Sequence, residues 1–158
     1  SVVLDNTYKE YIFTFNNIHP ATNAATFTFQ GNAAGGSGYD ETITSTYFQA
    51  EHSEGGTSDL RYRTNYDQAQ GTSFQTIAGG IGNGNDECGS GYLHLFNPSS
   101  TTFVKHFLSN MNIYENSDYT ENIFAAGYFN TTSAIDEIQF KMSSGNIDAG
   151  DICLYGIS

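Results

Sequence analysis

The sequence predicts an all-β domain, an antiparallel β-sandwich of the jelly-roll kind with about ten short strands and almost no helix. Three observations carry this. Apolar residues alternate with period two from end to end, while no stretch of a dozen residues sustains the 3.6-residue spacing of a helix. Twelve Phe and eleven Tyr, with no Trp, supply side chains that pack well on a pleated surface. Turn chemistry rich in Gly, Asn, Asp and Ser interrupts the alternation at spacings of roughly 8 to 14 residues.

The elements follow in order. The chain opens as if inside a strand at Val2-Val3, so Ser1 is expected to begin a piece of something longer. Tyr11, Phe13 and Phe15 line one face of the first clear strand, and Phe27 and Phe29 mark the next. Gly31 to Tyr39 is a Gly-rich turn. Ile43, Ser45 and Tyr47 then alternate against Thr44, Thr46 and Phe48, continuing towards Glu51. After a polar loop (His52 to Ser58) come short strands at Leu60 to Arg63 and Phe74 to Ile77. The stretch from Gly79 to Gly91 is the longest irregular segment. Tyr92 to Phe96 and Phe103 to Leu108 flank Asn97-Pro98-Ser99-Ser100, a turn that makes a hairpin. Asn122 to Phe129, Ile138 to Met142 and Ile152 to Ile157 complete the set, the last two separated by a turn over Ser143 to Gly150. No repeat, linker or low-complexity tract divides residues 1–158, and the length suits one domain.

Five Lys plus Arg against seventeen Asp plus Glu give a formal charge of -12 and a pI near 4.3. Such a surface repels phosphate backbones and anionic headgroups, which excludes nucleic acid and membrane insertion as first readings. No apolar run approaches the roughly 18 residues of a membrane span, and the first residues lack the basic start of a signal peptide.

Candidate sites are few. The acidic pairs Asp40-Glu41, Asp86-Glu87 and Asp136-Glu137 each place neighbours on opposite faces of a strand, so none supplies both carboxylates of a glycosidase. Asn83, Asn85, Asp86 and Glu87 have calcium-like oxygen chemistry without EF-hand spacing. His94 and His106 lie on the two arms of the hairpin. If Phe96 pairs with Val104 they face each other; if Phe96 pairs with Phe103, His94 faces Lys105, and sequence does not choose between these registers. Two histidines do not make a metal site in either case. Cys88 and Cys153 form no CxxC-type spacing, and whether they pair is open. Gly80-Ile81-Gly82-Asn83-Gly84 has no helix after it to present to a phosphate. Asn130-Thr131-Thr132 matches a glycosylation sequon. Tyr39, Tyr66, Tyr114 and Tyr119 stand in or beside polar loops, where a ring could stack on a sugar. With no nucleophile elbow, Walker loop or activated Cys, no catalytic residue, metal site or cofactor is assigned.

Three segments together suggest a family: Tyr8 to Tyr11 running into Asn17 to Thr22, Gly91 to Thr102, and Ala126 to Ile135 continuing through Gln139 to Ile147 to the ending Leu154-Tyr155-Gly156-Ile157. Across nearly the whole chain this resembles a family of bacteriophage virion proteins, abundant in marine tailed phages and mostly described as structural or tail-fibre-like. The resemblance implies a place on the virion surface, synthesis in the bacterial cytoplasm, and no catalytic motif. It makes a non-enzymatic tail-fibre or appendage module in host attachment the expected function, with a capsid decoration protein or a glycan depolymerase as alternatives. Partners would be other virion proteins, copies of itself as a homotrimer, and host surface glycan. Strands such as Tyr92 to Phe96 look apolar on both faces, where a sandwich strand needs one. Phe13, Phe15, Phe27, Phe140 and Leu154 are expected in the core.

Overall fold

The computed structural model describes all residues, 1–158. It contains no helix and twelve strands: β1 (Val2–Val3), β2 (Glu10–Pro20), β3 (Ala25–Ala33), β4 (Ile43–Ser53), β5 (Ser58–Tyr62), β6 (Ala69–Gly71), β7 (Gln75–Ile81), β8 (Gly89–Phe96), β9 (Lys105–Glu115), β10 (Tyr119–Phe129), β11 (Ile135–Met142) and β12 (Ile147–Ile157). All pairings are antiparallel. The count exceeds ten because β1 forms at Val2–Val3, where the sequence opens as if inside a strand, and because β6 is too short to show alternation.

The hydrogen-bonded network forms two layers. One runs β12-β2-β8-β9-β10-β4-β5, with β6 sharing the outer edge of β4; the other runs β1-β11-β3-β7. A single pairing, Ile81 with Glu115, joins β7 to β9. Phenylalanine rings fill the space between the layers: Phe15 meets Phe27 edge-on at 5.1 Å, and Phe29 meets Phe107 at 5.0 Å and Phe129 at 6.0 Å. Such edge-to-face pairs favour the ring quadrupoles as well as burying area.

Phe13, Phe15 and Phe27 are fully buried as expected, and Phe140 is half-buried against them. Leu154 is not in the core. It faces inward opposite Phe13, but β12 is the edge strand and no layer covers it there, leaving it 36 % exposed. Sequence alternation identifies the inward phase of a strand but not whether anything lies opposite.

Strand bounds moved where apolar alternation is diluted by small or polar residues. β7 runs on to Ile81 and β8 begins at Gly89, which shortens the supposed irregular stretch to 82–88. β9 continues through Met111 and Ile113 to Glu115, and β12 begins at Ile147 inside the expected turn. The segments before β4 and between β5 and β7 are fastened by buried amides: Gln30 Nε2 donates to the carbonyls of Glu41, Thr72 and Ser73, and Gln75 Nε2 to that of Tyr66. Satisfied amides of this kind hold a crossing loop in one place.

Candidate functional site

The strongest chemistry lies at the end of the sandwich where β4, β5, β9 and β10 meet. On β4 the inward phase Ile43, Ser45, Tyr47 continues as Gln49 and Glu51; on β10 the phase of Ile123 and Ala125 brings Glu121 inward. Register places Glu51 directly opposite Glu121. Both are more than nine-tenths buried, and both accept from Gln49 Nε2, at 2.9 Å and 2.7 Å. Arg61 on β5 reaches Glu51 Oε1 with Nη2 at 2.5 Å, and its Nε donates to Asp59. Arg63 lies over the Tyr66 ring at 5.0 Å.

These surroundings act on the Glu121 carboxyl. Burial raises Glu121 from 4.5 to about 7; the charges of Glu115 and Glu51 add to this, while Arg63 and the Gln49 amide oppose it. Glu51 has a guanidinium against it and Glu121 does not. Gln49 Oε1 and the Tyr47 hydroxyl are buried without a hydrogen-bond partner. A cavity of about 250 Å³, lined by Glu51, Arg61, Arg63, Glu115, Ser117, Tyr119 and Glu121, opens beside the pair.

A larger groove of about 450 Å³ lies at the same end on the outer side of the sheet. His52, Asn112, Tyr114 and Thr120 project into it from β4, β9 and β10, with Ser90 and Cys88 behind and Tyr119 at its margin. The Tyr114 hydroxyl donates to the carboxylates of Glu54 and Asp118, which pushes its pKa up to about 12. Of the four tyrosines proposed for stacking, Tyr114 and Tyr119 line this groove. Tyr39 is tied through its hydroxyl to Glu137 Oε2 at 2.5 Å, and Tyr66 packs on Tyr47.

The other candidates are dispersed. In the loop at Asp86 and Glu87, the Glu87 carboxylate turns back onto the Gly84 backbone N–H, and no group of three or more His, Cys, Asp or Glu is placed to hold a metal. Neither register considered for the hairpin is adopted. Leu95 pairs with Phe107 and His94 with Leu108, because the connecting segment reaches from Asn97 to Val104. Asn97, at φ 45°, donates its N–H to Lys9, and Pro98 accepts from Ile135, so the loop is held wide by other strands. His94 instead lies on Phe96 and bonds Glu10 Oε2 through Nε2 at 2.9 Å, while His106 faces Tyr128. Cys88 and Cys153 are free thiols.

Sequence reasoning missed the Glu51–Gln49–Glu121 constellation, although its signal was present: extending the alternation of Ile43 and Tyr47 by two pleats places Gln49 and Glu51 on the core face. Comparison with known proteins finds no matching family model, no matching curated protein and no matching solved structure.

Proposed function

We propose that this chain is a non-enzymatic surface module of a phage particle, tail-fibre-like, that takes part in host attachment. Two lines support the reading: the resemblance of three long segments to phage virion proteins, and a groove that sets tyrosine rings beside polar side chains, an arrangement that accommodates a sugar. The groove is the observation that carries it. The His52 imidazole, the Asn112 side-chain oxygen and the Thr120 hydroxyl line it beside the rings of Tyr114 and Tyr119, while the Asn112 amide is held by Thr120 and the Glu121 carbonyl and the Tyr114 hydroxyl by Glu54 and Asp118, so the groups keep their spacing. Rings with polar neighbours bind sugars by stacking and hydrogen bonding, and a rigid scaffold limits the ordering cost.

The charge makes the test specific. A surface at -12 is repelled by an anionic host envelope over long range, and salt screens that repulsion. Adsorption of the purified domain to host cells is expected to persist or strengthen as sodium chloride rises, and to fall when Asn112→Ala and Tyr114→Ala remove groove contacts. Adsorption that collapses as salt rises, or that ignores both substitutions, would sink the reading. Antibody labelling of the particle tests its location; signal on the head would favour a capsid decoration protein.

One observation favours a second reading, cleavage of a surface glycan. A carboxyl with a raised pKa beside one held by an arginine is the division of labour of a glycosidase acid and its partner carboxylate. Glycan release by the purified chain that disappears in Glu121→Gln would establish it; release no faster than in that variant would exclude it.

A further inference from the structure

The outer face of the seven-stranded layer carries little charge, two carboxylates at its β2 and β12 side, in a protein of formal charge -12. Across its strands, register aligns Tyr62, Phe48, Phe124, Asn110, Tyr92 and Thr14 in one row. Eight of the twelve exposed large hydrophobics lie on this face: those in the row together with Leu60, Leu108, Tyr155 and Ile157. Phe48 and Phe124 stack in parallel with centroids 5.1 Å apart, yet remain 42 % and 40 % exposed. No Lys or Arg side chain projects from these strands on this side, and of seventeen acidic residues only Glu10 and Asp151 do so, both on the β2 and β12 side. Glu10 is already paired with His94.

We propose that this face is the contact between two copies of the chain, packed sheet on sheet about a two-fold axis near Phe124. Area and charge both argue for a second copy as the occupant. Seven strands spaced about 4.8 Å apart and up to about eleven residues long, at about 3.3 Å per residue, give roughly 1,000 Å². A standard interface needs about 800 Å² per partner, so the face is large enough to supply one. Two copies at -12 repel through every other surface, and on this side the strands around Phe124 carry no carboxylate, with Glu10 and Asp151 confined to the β2 and β12 side. A two-fold axis sets the aromatic row on its own copy, as an isologous contact requires, and aligned packing of two sheets buries alternate side chains in this way. The proposal goes beyond the attachment reading and does not depend on it; because His52, Asn112, Tyr114 and Thr120 stand on the same face, the dimer covers the groove described above, and association competes with sugar binding there.

Sedimentation equilibrium over a wide concentration series tests it. The mass is expected to rise from the 17.2 kDa of one chain to twice that value, with association strengthened by added salt. Phe124→Glu would bring two carboxylates together at the axis and should weaken association at least about 30-fold. Leu60→Glu, at a side chain 71 % exposed and so harmless to folding, should weaken it in the same direction. Val3→Glu, 73 % exposed on β1 of the other layer, should leave it unchanged. Circular dichroism checks that each variant is folded. A chain that stays monomeric throughout, a trimer, or association that survives both face substitutions would overturn the proposal.

Discussion

Glu51 and Glu121 stand opposite each other on β4 and β10 and hang on one amide nitrogen, that of Gln49. This makes Glu121 a source of pH dependence. Its carboxyl titrates near 4.5 in the unfolded chain and about 7 in the folded one, so folding retains a proton that unfolding releases. The stability it contributes is complete below pH 4.5, falls as pH rises to about 7, and is constant beyond. Urea titrations at several pH values should show the wild type losing about 1–2 kcal/mol relative to Glu121→Gln across that window, a figure reduced for water at the cavity mouth. A pH-independent difference between the two would refute the raised pKa.

Removing the shared donor should hurt more than removing one acceptor. Gln49→Leu leaves two buried carboxylates without their common amide and is expected to cost about 2–3 kcal/mol. The same change should widen the pH window, since the amide lowers the Glu121 pKa. Denaturant midpoints at pH 5 and pH 8 would read both effects.

Burial sets a contrast between two phenylalanines. Phe29 is wholly enclosed by Phe107, Phe129 and Phe140, so Phe29→Ala should cost about 3–5 kcal/mol. Phe48, at 42 % exposure on the outer face, should cost the isolated chain less than about 1.5 kcal/mol when truncated. Equal losses in dilute solution would mean that the outer face is covered within a single chain.

Ala24 sits at φ 59° in the turn between β2 and β3, a left-handed conformation that a Cβ disfavours. Ala24→Gly should therefore raise stability by about 0.5–1 kcal/mol despite the greater freedom of glycine in the unfolded chain. Thermal melts of the two proteins at equal concentration would show it; a lower melting temperature would contradict it.

Neither thiol is bridged, so reducing agent should leave the melting temperature unchanged. A drop on reduction would reveal a linkage absent from this arrangement of strands.

Much of the architecture was legible because period-two alternation survives wherever Phe, Tyr or Ile occupies the inward phase, as at Tyr11-Phe13-Phe15 and Ile43-Ser45-Tyr47. It faded where small or polar residues took that phase, at Gly89-Gly91 in β8 and Gly79-Ile81 in β7. The candidate site was less legible for the same reason: Gln49, Glu51 and Glu121 look like solvated residues until the strand phase is carried through to them. His94 and His106 illustrate a different limit. Their separation followed from a loop held wide by bonds from Asn97 to Lys9 and from Ile135 to Pro98, partners distant in sequence.

An all-β, antiparallel chain with a phenylalanine core and a formal charge of -12 follows from composition and local periodicity alone. Only tertiary structure decided which strand became the exposed edge, so that Leu154 lies open while Phe13 beside it is sealed. It also decided that Glu51 meets Glu121, and that one entire sheet face keeps its aromatics in solvent. Pairing and layering are long-range choices, made by which surfaces cover one another, and a single strand carries its alternation without carrying the identity of its cover.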